Sequence, residues 1–145
     1  MESGVGTGPG NEAGVKGEDG KGLDVVDQML AALARYDTDG IRALSHPGLR
    51  RWLSVTEVED DLETLLTTVE RERTTVADAT FTLRRRIDTV EGAVLLLAVD
   101  GTTTGGAAFH IPVCLVLTIR DGLVMRIDEF ANLDGARALL REMFA

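Results

Sequence analysis

The sequence predicts an α+β domain: a curved antiparallel meander of long strands wrapped around helices, with a pocket between the two. Three observations predict it. Residues 105–133 alternate in polarity through two long strands joined by a tight turn at Asp121-Gly122. Two more strand-like runs, 75–89 and 93–99, precede them at hairpin spacing. Apolar residues at three- and four-residue spacing occur only before and after these strands. Strands joined by hairpins make an antiparallel sheet, and helices gathered to one side complete an α+β domain.

Residues 1–22 carry eight glycines and almost no bulky apolar side chain. Such a segment cannot bury enough surface to offset the entropy of ordering, so a flexible tail is expected ahead of one domain at 23–145. The first helix spans 23–36, with Val26, Met29, Leu30, Leu33 and Tyr36 on its apolar stripe. Asp37-Thr38-Asp39-Gly40 stops it. A short helical turn at 41–45 leads to His46-Pro47-Gly48, which cannot continue a helix. Residues 49–55 form a short strand with Arg50, Trp52 and Ser54 on one face and Leu49, Arg51 and Leu53 on the other. Trp52 is expected in the core or in the wall of a ligand pocket. Thr56 and Glu59 have the spacing of a capping box, which predicts a helix from there to about Glu72, with Val58, Leu62, Leu65, Leu66 and Val69 buried. Residues 75–89 alternate, whereas 93–99 are nearly continuously apolar and so are expected to be buried on both faces. A Gly/Thr-rich loop at 100–106 joins them to the final hairpin. Asp134 is expected to cap a last helix at 136–144.

Glu129 stands out. In the last strand, Leu123, Met125, Ile127 and Glu129 share one face, and only the fourth is polar. A carboxylate on a buried face loses hydration, so it needs a partner, a proton or a function. Two readings stay open: a catalytic acid/base, or a carboxylate past the edge of the core that accepts an ordinary hydrogen bond.

Composition narrows the function. A net charge of −9 opposes binding to nucleic acid or to anionic membranes. Arg84-Arg85-Arg86, the one basic run, must divide between two strand faces. No apolar stretch reaches the ~18 residues of a membrane helix. The N-terminus lacks the charged-then-apolar pattern of a secretory signal. One cysteine, Cys114, cannot form an internal disulfide and reads as a small core residue, so a cytoplasmic location is expected. Consecutive acidic residues such as Glu59-Asp60-Asp61 would point in different directions from a helix. No metal site and no cofactor are therefore expected.

Three segments carry a family resemblance: Tyr36-Asp37-Thr38-Asp39-Gly40-Ile41, Leu44-Ser45-His46-Pro47, and above all Ile119-Arg120-Asp121-Gly122 through Ile127-Asp128-Glu129-Phe130. Residues 23–144 resemble the SnoaL-like branch of the nuclear-transport-factor-2-like superfamily, related in fold to ketosteroid isomerase, polyketide cyclase and limonene epoxide hydrolase. The resemblance implies a cone-shaped α+β barrel, a deep pocket and a homodimer. It implies acid–base catalysis of isomerase, cyclase or hydrolase type, or else non-catalytic binding on the same fold. Glu129 matches the acidic position that serves as base in the epoxide-hydrolase-like and cyclase-like members. Their arginine and second aspartate would fall at Leu96 and Ala98. The oxyanion-hole acid of the isomerases would fall near Pro112, and 49–55 holds no aspartate base. The same register lines the pocket with Leu96, Ala98, Ile111, Val113, Met125 and Ile127, beside Trp52. His110 then faces outward with Pro112 and Cys114 unless a bulge reverses it. The expected ligand is small and mostly apolar.

Overall fold

The computed structural model describes residues 24–145, so the tail expected at 1–22 lies outside the described residues. The elements are helix α1 (Val25–Ala34), helix α2 (Thr38–Leu44), strand β1 (Ser45–Leu53), strand β2 (Val58–Asp61), helix α3 (Leu62–Thr75), strands β3 (Val76–Asp88), β4 (Gly92–Thr103), β5 (Ala108–Arg120) and β6 (Leu123–Ala131), and helix α4 (Leu133–Met143). The strands form one curved, unclosed sheet in the order β2-β1-β6-β5-β4-β3. From β3 to β6 it is the expected antiparallel meander. The join of β1 to β6 is parallel, which alternation could not reveal, because it assigns faces and not neighbours.

Carboxylate and amide caps set the helix starts. Asp24 accepts the Asp27 N–H at 2.9 Å and opens α1. Asp37 accepts the Gly40 N–H at 3.0 Å, so the segment that stops α1 also starts α2. The helix expected from Thr56 begins instead at Leu62, capped by Asp61, whose carboxylate accepts the Thr64 N–H at 2.9 Å. The intervening residues form β2, which pairs with β1 and is tied to it by Arg50–Glu59 at 3.1 Å. Val58, expected on a buried stripe, is therefore exposed. A short edge strand rich in acidic residues also discourages pairing with other chains. Asn132, not Asp134, caps α4 through the Gly135 N–H at 2.7 Å.

One core cluster fills the space between the inner sheet face and the helices. Leu49, Leu95, Leu117, Val124 and Ile127 meet Met29 and Leu30 of α1 and Leu65, Leu66 and Val69 of α3. A second cluster joins Val99, Phe109 and Ile111 to Ala136, Leu139 and Met143 of α4. Two contacts anchor α4 over the sheet. A Cβ on Gly135 would lie 2.3 Å from the His110 carbonyl oxygen, so helix and strand backbones touch directly. At the other end, the Glu142 carboxylate accepts the Thr103 hydroxyl at 2.5 Å and the Gly105 N–H at 3.1 Å.

Strand β4 departs from the double burial expected of it. Ala93, Leu95, Leu97 and Val99 are buried on the inner face, while on the outer face Val94 and Leu96 are only half-buried and Ala98 is buried. Among the described residues, no layer covers the outer face of the sheet.

Candidate active site

The inner sheet face, α3, α4 and the end of α1 enclose a cavity of about 200 Å³. Its walls are mainly aliphatic, from Leu53, Leu97, Val99, Ile111, Val113, Leu115, Ile127, Leu139 and Met143. Six polar side chains line it: Tyr36, Arg51, Thr56, Thr68, Glu72 and Glu129.

Glu129 lies opposite Leu53 on one side and Leu115 on the other. Its backbone is clamped. The Ser54 N–H donates to the Glu129 carbonyl at 2.9 Å, and the Ala131 N–H donates to Ser54 Oγ at 3.0 Å. Its side chain faces the cavity, and the surrounding protein removes most of its hydration. Burial therefore raises the carboxyl above the ordinary glutamate range; the positive charge of Arg51 opposes this, and Asp60 adds to it.

Arg51 is 3% exposed. Its Nε and Nη2 donate to the two oxygens of Asp60 at 3.0 and 2.8 Å, and Nη2 also reaches Thr68 Oγ1 at 3.4 Å. This two-pronged pairing is the strong geometry for a guanidinium and a carboxylate. It forms because Arg51 on β1 lies directly across from Asp60 on β2.

Glu72 sits three residues beyond Val69 and four beyond Thr68, on the cavity face of α3. Burial, with the negative charge of Glu129 next and Arg51 opposing, pushes its carboxyl up to about 8. Glu72 thus holds its proton at neutral pH. Tyr36 follows α1 in the left-handed region, with φ of 53°. The helix ends in a Schellman motif, with the Tyr36 N–H on the Leu33 carbonyl and the Asp37 N–H on the Ala32 carbonyl. That position usually takes glycine. A tyrosine there costs backbone strain, and it places the ring edge-on to Phe81 with centroids 6.2 Å apart. Burial, then the charge of Glu72, raises the phenol, so its hydroxyl also stays protonated.

Of the residues expected in the pocket, Glu129, Ile111, Val113 and Ile127 line the cavity. Trp52, Leu96, Ala98 and Met125 do not. Trp52 follows inward-facing Arg51 and so points outward, where its ring lies 5.4 Å from that of Phe130. Leu96 pairs with Cys114 and Ala98 with Pro112, all on the outer face; the inward residues are their neighbours Leu97 and Val99. Met125 occupies a register shift. Thr118 pairs with Arg126, yet Ile119 pairs with Val124, so Val124 takes the inward position and is fully buried. His110 faces outward, as the register implies, with Nδ1 2.5 Å from Asp100 Oδ1.

An arginine and further acidic groups do stand beside Glu129, from elements other than the strand to which the resemblance pointed. Arg51 shares a face with Leu49 and Leu53, so a charged residue in a buried strand set was the available signal. Glu72 extends the stripe of Leu62, Leu65 and Val69 by one step. The described residues contain no cluster of histidine, cysteine and acidic side chains arranged to hold a metal ion. No helix among them is long and apolar enough to cross a membrane.

The sequence profile of the SnoaL-like domain matches residues 26–127. No curated protein sequence matches the chain. Its fold is similar to that of IdmH from Streptomyces antibioticus, proposed to be a polyketide cyclase, at 18% identity and a TM-score of 0.69, covering 81% of this chain and 96% of that one. PrhC from Penicillium brasilianum is similar at 13% identity and a TM-score of 0.73, covering 83% and 85%. TsrD from Streptomyces laurentii is similar at 24% identity and a TM-score of 0.66, covering 82% and 91%.

Proposed function

The chain belongs to the family of SnoaL-like domains, and from that premise we propose that its cavity moves a proton on a small, mostly apolar carbonyl compound. One observation carries the proposal: two carboxyl groups, Glu129 and Glu72, face one apolar cavity, and burial raises both, Glu72 to about 8. Where two such groups release their protons at different pH, one serves as acid and the other as base. Glu129 is the base and removes a proton from the carbon next to the carbonyl. The electrons of that C–H bond form the enol double bond, and the Glu72 proton passes to the carbonyl oxygen. Return of the proton from Glu129 to the same carbon, with the enol O–H proton going back to Glu72, restores the ketone and completes an exchange; in a conjugated dienol, delivery to the far end of the diene instead completes an isomerisation. A polyketide-like substrate would suit this chemistry, in keeping with the description of IdmH.

Acetophenone in D₂O tests the proposal, with incorporation of deuterium into its methyl group followed by NMR. The protein is expected to accelerate incorporation, and Glu129→Gln to reduce that acceleration by about 10²–10⁴-fold, the usual contribution of a general base. Equal rates for the two proteins would remove Glu129 from the chemistry. Binding with no incorporation in either would leave a non-catalytic binding protein of the same fold.

We also assign the expected homodimer to the outer sheet face. Phe130 is 46% exposed there and packs against Trp52, on a sheet face that no other layer covers among the described residues. An exposed apolar face of this kind suits a second copy. Light scattering at micromolar concentration should give twice the 15.6 kDa chain mass, and Phe130→Asp should halve it. A monomeric parent protein would end this assignment.

A further inference from the structure

An arginine in an apolar cavity ordinarily suggests a ligand carboxylate, because its planar fork matches that group. Here one edge of the fork is already engaged. Nε and Nη2 of Arg51 are directed at Asp60, and Nη2 is shared with Thr68. Arg51 and Asp60 are both largely withdrawn from water, at 3% and 14% side-chain exposure, so neither is easily drawn away to a new partner. Among the described residues, no other cation lines the cavity. Arg71 stacks over the Phe144 ring at 4.8 Å and is exposed to solvent. Glu129 and Glu72, in contrast, accept no hydrogen bond from an arginine or lysine among the described residues. An entering carboxylate would meet these two carboxyl groups in a poorly hydrated space, where the charge of Arg51 is already compensated by Asp60. An uncharged ligand would meet apolar walls, the Glu72 carboxyl and the Tyr36 hydroxyl, both able to donate a hydrogen bond.

We infer that Asp60 determines the ligand class: by occupying Arg51 it makes the cavity reject carboxylates and accept uncharged molecules that carry a hydrogen-bond acceptor. This inference rests on the proposed reading of the cavity as the site, but not on turnover there. Asp60 does not line the cavity. It acts through Arg51 and is a positioning residue.

Acetophenone and benzoate are close in shape and differ in charge, which makes them suitable probes. Each is titrated at pH 7 into the ¹⁵N-labelled full chain, with the amide shifts of cavity residues as the readout. Acetophenone is expected to bind at least about tenfold more tightly than benzoate, the scale on which an unpaired charge in a dry site weakens binding. Asp60→Asn leaves a side chain of the same shape that no longer neutralises Arg51. In this variant the ratio is expected to fall by about tenfold or more, through a gain in benzoate affinity. Benzoate binding as tightly as acetophenone to the parent protein overturns the inference, and so does an unchanged ratio in a folded Asp60→Asn variant. Failure of acetophenone to shift the cavity amides up to its solubility limit overturns it as well. If Asp60→Asn does not fold, the comparison on the parent protein still decides. Deuterium incorporation separates this from the catalytic proposal, since a ketone that binds selectively without exchange sinks only the latter.

Discussion

Glu72→Gln is expected to stabilise the protein at pH 9 while leaving its stability at pH 4 nearly unchanged. The native carboxyl is raised to about 8, whereas in the unfolded chain it titrates in the ordinary range near 4.3. Between those values the native state holds a proton that the unfolded state has released. Stability therefore falls as pH rises through this window, and the loss is complete once pH passes the native value. The sign is opposite to that of a carboxylate held by a salt bridge. Glutamine keeps the shape and cannot ionise, so it escapes the penalty, which is on the order of a few kcal/mol for a shift of this size. Urea denaturation of both proteins at several pH values isolates the effect, because titrating groups that do not interact with Glu72 cancel in the difference. A difference that does not vary with pH would show that Glu72 titrates normally.

Arg51→Met is expected to cost roughly 3–5 kcal/mol, the usual penalty for removing one partner of a buried ion pair. The methionine fills much of the space but leaves Asp60 without its two hydrogen bonds. Against a total stability of about 5–15 kcal/mol, such a loss takes much of the margin for folding. Removing both partners, as Arg51→Met with Asp60→Leu, should recover most of it, because no orphaned charge remains. Urea denaturation at pH 7 measures both. A single variant that loses less than about 1 kcal/mol would mean that the pair behaves as a surface ion pair.

Part of this site can be read directly from the chain. Glu129 declares itself because it is the polar member of an apolar alternation set, and the structure turns that side inward. Arg51 belongs to an equally informative set with Leu49 and Leu53. Its neighbour Arg50 gives the stretch the look of a solvated surface, and the half-buried partner Asp60 comes from a strand whose spacing resembles a helix start. Glu72 is less visible because it lies where a helix starting at Thr56 would end; the helix starting at Leu62 runs on to Thr75 and gives that position a full turn. The errors at Leu96, Ala98 and Met125 share one cause. A strand has a period of two, so a one-residue slip or a single bulge exchanges inside for outside. The continuous apolar run of β4 gives no internal signal to correct the slip. Only pairing with β5, which puts Leu97 against Val113 and Val99 against Ile111, settles it.

Glu72 shares one cavity with Glu129 and keeps its proton at neutral pH. Carbon-13 NMR of the side-chain carboxyls tests it most directly, with glutamate labelled and the pH varied from acid to alkaline. The Glu72 signal should titrate near 8 and move to lower pH in Glu129→Gln, since the charge of Glu129 helps to raise it. Two glutamates titrating independently in the ordinary range near 4.3 would contradict the account.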